Sequence, residues 1–580
     1  MSLTSIPSDA VKCAEYIFSR LYSLGIRSVF GVPGDYNLRL LDIVEPAGLH
    51  WVGNCNELNA AYAADGYSRI NGISALITTF GVGELSAANG IAGAYAEKAP
   101  VVHIVGTPAR SLQDRRVFMH HTLVTGDYRR FAAVHQQITA AQVNLVDPQT
   151  APDQIDWVLQ EALFHQRPVY IEVPDDMADA LVSTDNLKKK PVLPVPYVPE
   201  AQYEDSVVER VLGRLNSAKR PAILLDGETR GLQILDLVED LSNRTMWPTW
   251  TTIFGKSLID ESMPNVYGIF QGKYAPESWG KYFQTADLIL HFGPHLSDTN
   301  SFGFSAVPRE NVTIAISQHT VRVDGVLFRD LPPRRFMSKI LSNLQPLKLG
   351  AQGPSHYPLP TVDLDRSLRL TQKHFYHYIN SIFNQGDIIL AETGTAAHGC
   401  RQFKLPPKSR LFTAVTWLSV GYMVPAALGA ALAQRELLGC SDNGRDGAPG
   451  KERVVLFVGD GSLQMTVQEI STMIREGLNI TIIILNNNGY TIERAIHGRK
   501  QRYNDIASWN HAHILPLLEQ QSSALESFPR ARTWGELEAI IQSGKLNSGM
   551  GVVVIEVLFD QEDCEGSLRE MLDEQIRKGK

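Results

Sequence analysis

Two short runs in the carboxyl-terminal third carry the residues best suited to hold a metal-bound diphosphate. The first is Gly459-Asp460-Gly461-Ser462 and the second is Asn487-Asn488-Gly489-Tyr490, with Asp460 and Asn487 27 positions apart. Mg2+ prefers an octahedron of oxygen ligands and takes few of them from protein, the rest coming from phosphate and water. Asp460 offers a carboxylate, Asn487 an amide oxygen, and Gly489 a backbone carbonyl that no side chain shields. Gly461 and the helix start beside it offer unpaired N–H groups to phosphate oxygens. A glycine turn of some other nucleotide fold would also supply Gly-Asp-Gly. The second, oxygen-rich run narrows the reading to a clamp for a magnesium diphosphate.

These runs need a scaffold that brings them together. Residues 454–490 read as strand, turn, helix, strand, turn, and a right-handed crossover places both turns on the carboxyl edge of one sheet. Further strand candidates are Ser74–Thr79, Val101–Val105, Ala222–Leu225, Leu288–Phe292 and Asp387–Ala391, alternating with helical patterns. The fold class is α/β, with three doubly wound parallel-sheet domains. Proline-rich stretches at Lys188–Glu200 and Pro346–Asp363 read as extended linkers. They leave domains at 1–187, 201–345 and 364–580, a division that 580 residues require because one core cannot grow that large. The Gly-rich stretch Cys440–Lys451 reads as a surface loop.

Bulk properties exclude several classes. A net charge of −8 opposes a nucleic-acid partner, whose phosphates need a basic surface. No apolar run of about 18 residues is present to span a membrane. Five scattered cysteines without a CxxC pair read as reduced thiols. The first residues lack a secretory pattern and the last five, IRKGK, are not a peroxisomal signal, so a cytoplasmic location is expected.

With four further stretches, these motifs resemble the thiamine-diphosphate (ThDP) dependent 2-oxo acid decarboxylase family, which includes the pyruvate decarboxylases, over nearly the whole chain. The stretches are GNCNELNAAYAADGYSR (53–69), FGVPGDYN (30–37), FMHHTLVTGDY (118–128) and NNNGYTIERAIHG (486–498). The resemblance implies a pyrimidine-binding, a central and a diphosphate-binding domain, with ThDP and Mg2+ as cofactors. It gives Glu57 the family's role of bonding the aminopyrimidine and promoting the imino tautomer that activates the thiazolium carbon. Without it, Glu57 reads equally well as a structural hydrogen-bonder at the start of an apolar helix. Asp35, His120, His121 and Glu493 match the acid–base group that protonates the carbon left behind by CO2. Taken alone, Asp35 reads as a turn former and the two histidines as a solvated loop pair. Neighbours in sequence do not share a face, so a metal pair is not expected there.

The same resemblance places Asp460, Asn487 and Gly489 on the metal. Gly459, Gly461, Ser462, Tyr490 and Ile492 belong around the cofactor, as do Thr393, Gly394 and Thr395. Val420 matches an aliphatic wedge that bends ThDP. Leu418 stands where glycine is usual, with a carbonyl able to accept the cofactor's amino group. Thr299 stands where an aromatic often narrows the pocket, His398 where an aromatic is common, and Ala397 is small. Thr299 and Ala397 together suggest room for a side chain larger than methyl, a preference worth about 1–3 kcal/mol per methylene. The family's activating cysteine has no counterpart in residues 224–231, LLDGETRG.

The implied function is non-oxidative decarboxylation of a 2-oxo acid, pyruvate by default, to an aldehyde and CO2. Alternatives are the same chemistry on phenylpyruvate, indolepyruvate or branched 2-oxo acids, and a ThDP-dependent carboligase. A non-catalytic scaffold is opposed by Glu57, Asp460 and Asn487. Because the family builds each site across two subunits, a homodimer or homotetramer is implied.

Overall fold

A computed structural model describes residues 9–189, 200–344, 353–356, 364–441, 453–519, 528–547 and 551–579. Three sheets organise them. The amino-terminal sheet runs His50–Trp51, Ser28–Gly31, Ser74–Thr79, Val101–Thr107, Val169–Pro174, Gln142–Asn144, all parallel. The carboxyl-terminal sheet runs Arg410–Phe412, Ile388–Ala391, Val454–Gly459, Ile480–Asn486, Val552–Leu558, Arg530–Ala531, also parallel. Numbered by chain order within each sheet, both read 2-1-3-4-6-5, so the two outer sheets share one topology. Continuous β-branched runs such as Ile480–Asn486, buried on both faces, are what a sheet covered by helices demands.

The middle sheet departs from the all-parallel expectation. Its core strands, including Pro221–Leu225 and Leu288–Phe292, are parallel, but Thr320–Val323 and Val326–Phe328 close one edge antiparallel. A hairpin turn at Asp324-Gly325, both with positive φ, makes that reversal cheap. An antiparallel pair, Ala10–Lys12 with Leu181–Ser183, also ties the two ends of the first unit together.

The helix Asp185–Lys189 reaches the first two residues of the expected Lys188–Glu200 linker, and residues 190–199 lie outside the described residues. Of the second linker only 353–356 are described. There Tyr267 donates to the Pro354 carbonyl at 2.8 Å and stacks on His356 at 4.2 Å. In the expected Cys440–Lys451 loop, the helix Met423–Ser441 reaches its first two residues, and 442–451 lie outside the described residues.

The outer domains meet through two Ala-rich helices, Glu57–Asn71 and Met423–Ser441, inside a shared core. Their backbones touch where each carries glycine. A Cβ on Gly66 would fall 2.2 Å from the Ala426 carbonyl oxygen, and one on Gly429 would fall 1.8 Å from that of Ala63. Gly429→Ala is therefore expected to force the helices apart and cost about 1–3 kcal/mol. Gly439→Ala, in the same helix with open space at its Cβ, should not destabilise. Melting temperatures of the two variants check the contrast.

Candidate active site

The carboxyl edge of the third sheet assembles the metal clamp. Gly459 pairs with Leu485 in the parallel ladder, so the turns after the two strands lie side by side. The helix Asp460–Thr466 starts directly on Asp460. Gly461 allows close approach of the Tyr490 ring, which a Cβ would meet at 2.7 Å. Gly489 sits at φ +133°, with the Asn504 carbonyl oxygen 2.5 Å from where its Cβ would be.

The amide end of Asn487 that faces Asp460 lies 3.1 Å from Oδ1 and 2.7 Å from the Gly489 carbonyl oxygen. With oxygen on that end, three acceptors crowd together without a proton between them. Without a cation the amide is better satisfied turned round, its nitrogen donating to both and its oxygen accepting from Thr491. With a cation at their centre the oxygen-inward orientation becomes favourable, so the donor set fits a hard divalent ion. Asp460 accepts from the Gly461 N–H at 3.0 Å and the Gly489 N–H at 3.2 Å. Burial outweighs these bonds and pushes its carboxyl up to about 6.

The clamp opens into a cavity of about 520 Å³. Thr393, Gly394, Thr395, Leu418, Val420, Gly459, Asp460, Gly461, Ser462, Asn487, Gly489, Tyr490 and Ile492 all line it, with Thr299, Ala397, His398 and Glu493. Gly394, at φ +132°, turns the chain from the strand Ile388–Ala391 into the short helix Thr395–Gly399. Glu392 is buried there, pushed up to about 7 by burial, and accepts from the N–H groups of Thr393 and Met423, both at 2.8 Å.

Leu418 adopts φ +56°, the left-handed region. The glycine usual at this position would enter that region freely, whereas a leucine is strained by about 1–2 kcal/mol. Surrounding contacts hold it there. Glu97 of the first domain accepts from the N–H groups of Val415, Thr416 and Trp417 at 2.9, 2.9 and 3.1 Å. His295 bonds Thr416 at 2.6 Å and Ser297 donates to the Val415 carbonyl at 2.9 Å, which pins the turn carrying Thr299 to the same segment.

The other half of the predicted site lies apart. Glu57, Asp35, His120 and His121 do not line this cavity. The expected four-member acid–base group is thus not assembled within one chain, because Glu493 sits with the third domain. The remaining three do converge, against the expectation that adjacent histidines point apart. His121 has φ +64°, which swings its ring back so that its Nε2 lies 3.7 Å from Asp35 Oδ1, while His120 Nε2 bonds Asp35 Oδ2. Tyr36 stacks on His120 with ring centroids 4.9 Å apart. Glu57 opens its helix behind the cap Asn56, which accepts from the Asn59 N–H at 2.8 Å. Its half-buried carboxyl is pushed up by burial and meets no donor side chain among the described residues.

Sequence reasoning missed several wall residues. Lys273, Tyr274 and Phe302 reach the cavity from the middle domain, and Ser567, Leu568 and Met571 from the helix Ser567–Arg577. That helix reads as an ordinary amphipathic element, and nothing in its residues signals a site. Arg401 was missed as well, although a charged residue three places beyond His398, on the same helical face, was a usable signal.

Residues 11–127, 208–343 and 392–575 match the family models for the N-terminal TPP binding, central and C-terminal TPP binding domains of the thiamine pyrophosphate enzymes. The chain is 46% identical to "Pyruvate decarboxylase" of Aspergillus parasiticus, over 98% of both chains. The chain belongs to the thiamine pyrophosphate enzyme family. Within it the chain is also similar to "Pyruvate decarboxylase isozyme 1" of Saccharomyces cerevisiae, 37% identical over 97% of both chains. "Pyruvate decarboxylase" of Aspergillus fumigatus is 39% identical over 96% of both. Membership makes thiamine diphosphate with a divalent metal the cofactor of this TPP enzyme.

For the cofactor-free TPP enzyme, the raised Asp460 carboxyl has a stability consequence. The folded state holds this proton more tightly than the unfolded chain, so the destabilisation is absent below pH 3.8 and complete above about pH 6. Asp460→Asn should raise cofactor-free stability near pH 7 by about 1–2 kcal/mol. It should also abolish the thermal stabilisation conferred by ThDP with Mg2+. Melting curves with and without cofactor check both signs.

Proposed function

We propose that this enzyme decarboxylates a 2-oxo acid without oxidation, pyruvate being the reference substrate, and releases the aldehyde and CO2 using ThDP and Mg2+. The observation that carries the reading is the cluster of Asp460, Asn487 and Gly489 oxygens, which a divalent cation satisfies, opening directly into the large cavity. The Asp460, Asn487 and Gly489 oxygens would hold the metal-bound diphosphate end of ThDP, which would supply a nucleophilic carbon and an electron sink for the decarboxylation.

The chain's own groups do the rest. Gly461 and its neighbours present N–H groups at a helix start to the diphosphate. Val420 and Leu418 line the cavity and would hold the middle of the cofactor. Glu57, whose burial favours the protonated form, exchanges a proton with the pyrimidine. Asp35, His120, His121 and Glu493 deliver the proton that replaces CO2.

Glu57 and the Asp35 cluster stand outside the cavity of their own chain. A second copy is therefore required, and the working unit is at least a homodimer with each site built from the first domain of one chain and the third of the other. The location proposed is cytoplasmic. The four described cysteines are unpaired, and no described helix is long and apolar enough to cross a membrane.

The test is the protein loaded with ThDP and Mg2+ and given pyruvate. Stoichiometric CO2 and acetaldehyde are expected, with activity lost on dilution to monomer. Glu57→Gln should lower kcat/KM by about 10²–10⁴. Absence of CO2, or a ligated hydroxyketone as the sole product, would overturn the reading.

A further inference from the structure

Arg401 lines the cavity together with Thr299, Ala397, His398 and Phe302, and its guanidinium has no hydrogen-bond acceptor or ion-pair partner among the described residues. Arg401 lines the main cavity and also a side cavity of about 80 Å³ beside Gln402. Its guanidinium lies 5.1 Å from the centre of the Phe302 ring. Its Nε is buried without an acceptor, and the Oε1 of Gln402 is buried without a donor. Two carboxylates, Asp298 and Glu493, line the same cavity, yet neither forms an ion pair with Arg401 among the described residues. Lys273, exposed on the same wall and set against the Tyr274 ring at 4.9 Å, also lacks one. His398 is half-buried beside this guanidinium and holds its proton far less readily than usual, so it adds a neutral polar edge rather than a second charge.

A guanidinium removed from water is costly unless an anion faces it. Arg401 illustrates this: burial lowers it to about 10, with only the Cys400 thiol acting in the opposite direction. A planar fork of N–H donors matches a carboxylate better than any other small group. We infer that the substrates of this enzyme include 2-oxo acids whose side chain ends in a second carboxylate, which Arg401 receives at the far end of the cavity. The inference rests on the proposed decarboxylation and deepens it by naming a substrate class. The C1–C2 bond of the 2-oxodicarboxylate breaks, CO2 leaves from the 2-oxo end, and the electron pair stays on C2. One proton then adds to C2, giving an aldehyde that keeps its distal carboxylate. No oxidant or reductant is consumed.

The holoenzyme is assayed with pyruvate, 2-oxopentanedioate and 2-oxohexanoate, the last having a similar reach with no distal charge. A charge-assisted contact predicts kcat/KM about ten- to a hundredfold higher for the dicarboxylate than for 2-oxohexanoate. Pentanedioate, which lacks the reacting carbonyl, should compete with pyruvate and raise the melting temperature of the holoenzyme, whereas pentanamide should do neither. Arg401→Gln should collapse the preference toward one and abolish the pentanedioate shift, and Arg401→Lys should restore part of both. Because the wild-type comparison needs no variant, a misfolded substitution does not blunt the test. Pyruvate turnover with equal or better use of 2-oxohexanoate than of 2-oxopentanedioate overturns this inference and leaves the decarboxylase reading intact. So does a dicarboxylate preference that survives Arg401→Gln. No CO2 from any of the three acids overturns the decarboxylase reading itself.

Discussion

The arrangement depends on one buried carboxylate crossing a domain boundary. Glu97, rooted in the first domain, accepts three consecutive N–H groups from Val415 to Trp417 of the third, while its other oxygen receives Arg69 at 3.1 Å. Arg69 also pairs with Asp65 at 2.6 Å, and Asp65 accepts the Tyr422 hydroxyl at 2.6 Å. Backbone donors gathered on one anion in a water-poor interior are held far more firmly than exposed contacts. They fix the segment that must hold Leu418 at its strained φ and offer Val420 to the cavity. The glycine-mediated contact of the two helices brings the domains close enough for this network to close.

Carboxylates in this molecule fall into two kinds, and the difference separates scaffold from site. Asp226 receives Gly227 N–H, the Thr252 hydroxyl, the Asn300 amide and the His295 N–H, at 2.6 to 2.8 Å, so its burial is fully compensated. Asp460 has two backbone bonds and, without a cation, the Asn487 amide, which together do not offset its burial, and Glu57 has no donor side chain among the described residues. Folding alone gives no reason to desolvate groups left so poorly matched. The proposed cation at Asp460 and the proposed pyrimidine contact at Glu57 would give one, and the same logic in the opposite sign applies to the anion proposed for Arg401.

Much of this was legible in the residues. Ser74–Thr79 and Leu288–Phe292 are strands with the bounds their β-branched runs indicate. The turns at 459–462 and 487–490 stand together because consecutive strands of a parallel sheet share a carboxyl edge. What stayed hidden depends on backbone states and on distant chain. The convergence of His120 and His121 on Asp35 requires a positive φ that histidine seldom adopts. The wall supplied by Ser567–Arg577 depends on packing nearly a hundred residues away from the clamp, and local periodicity carries no information about it.

Splitting the site between domains of like topology has a physical logic. Each outer sheet presents one carboxyl edge, and a cofactor with a basic ring at one end and a charged diphosphate at the other asks opposite things of its two ends. One edge must be dry enough to push a carboxyl above its ordinary range, as at Glu57. The other must concentrate oxygens around a cation, as at Asp460. A single edge cannot do both, because a cation close to Glu57 would lower the very pKa that burial raises. Two copies of one architecture keep the two electrostatic demands apart, and the Glu57–Asn71 and Met423–Ser441 helices join the two outer sheets of each chain through one shared core.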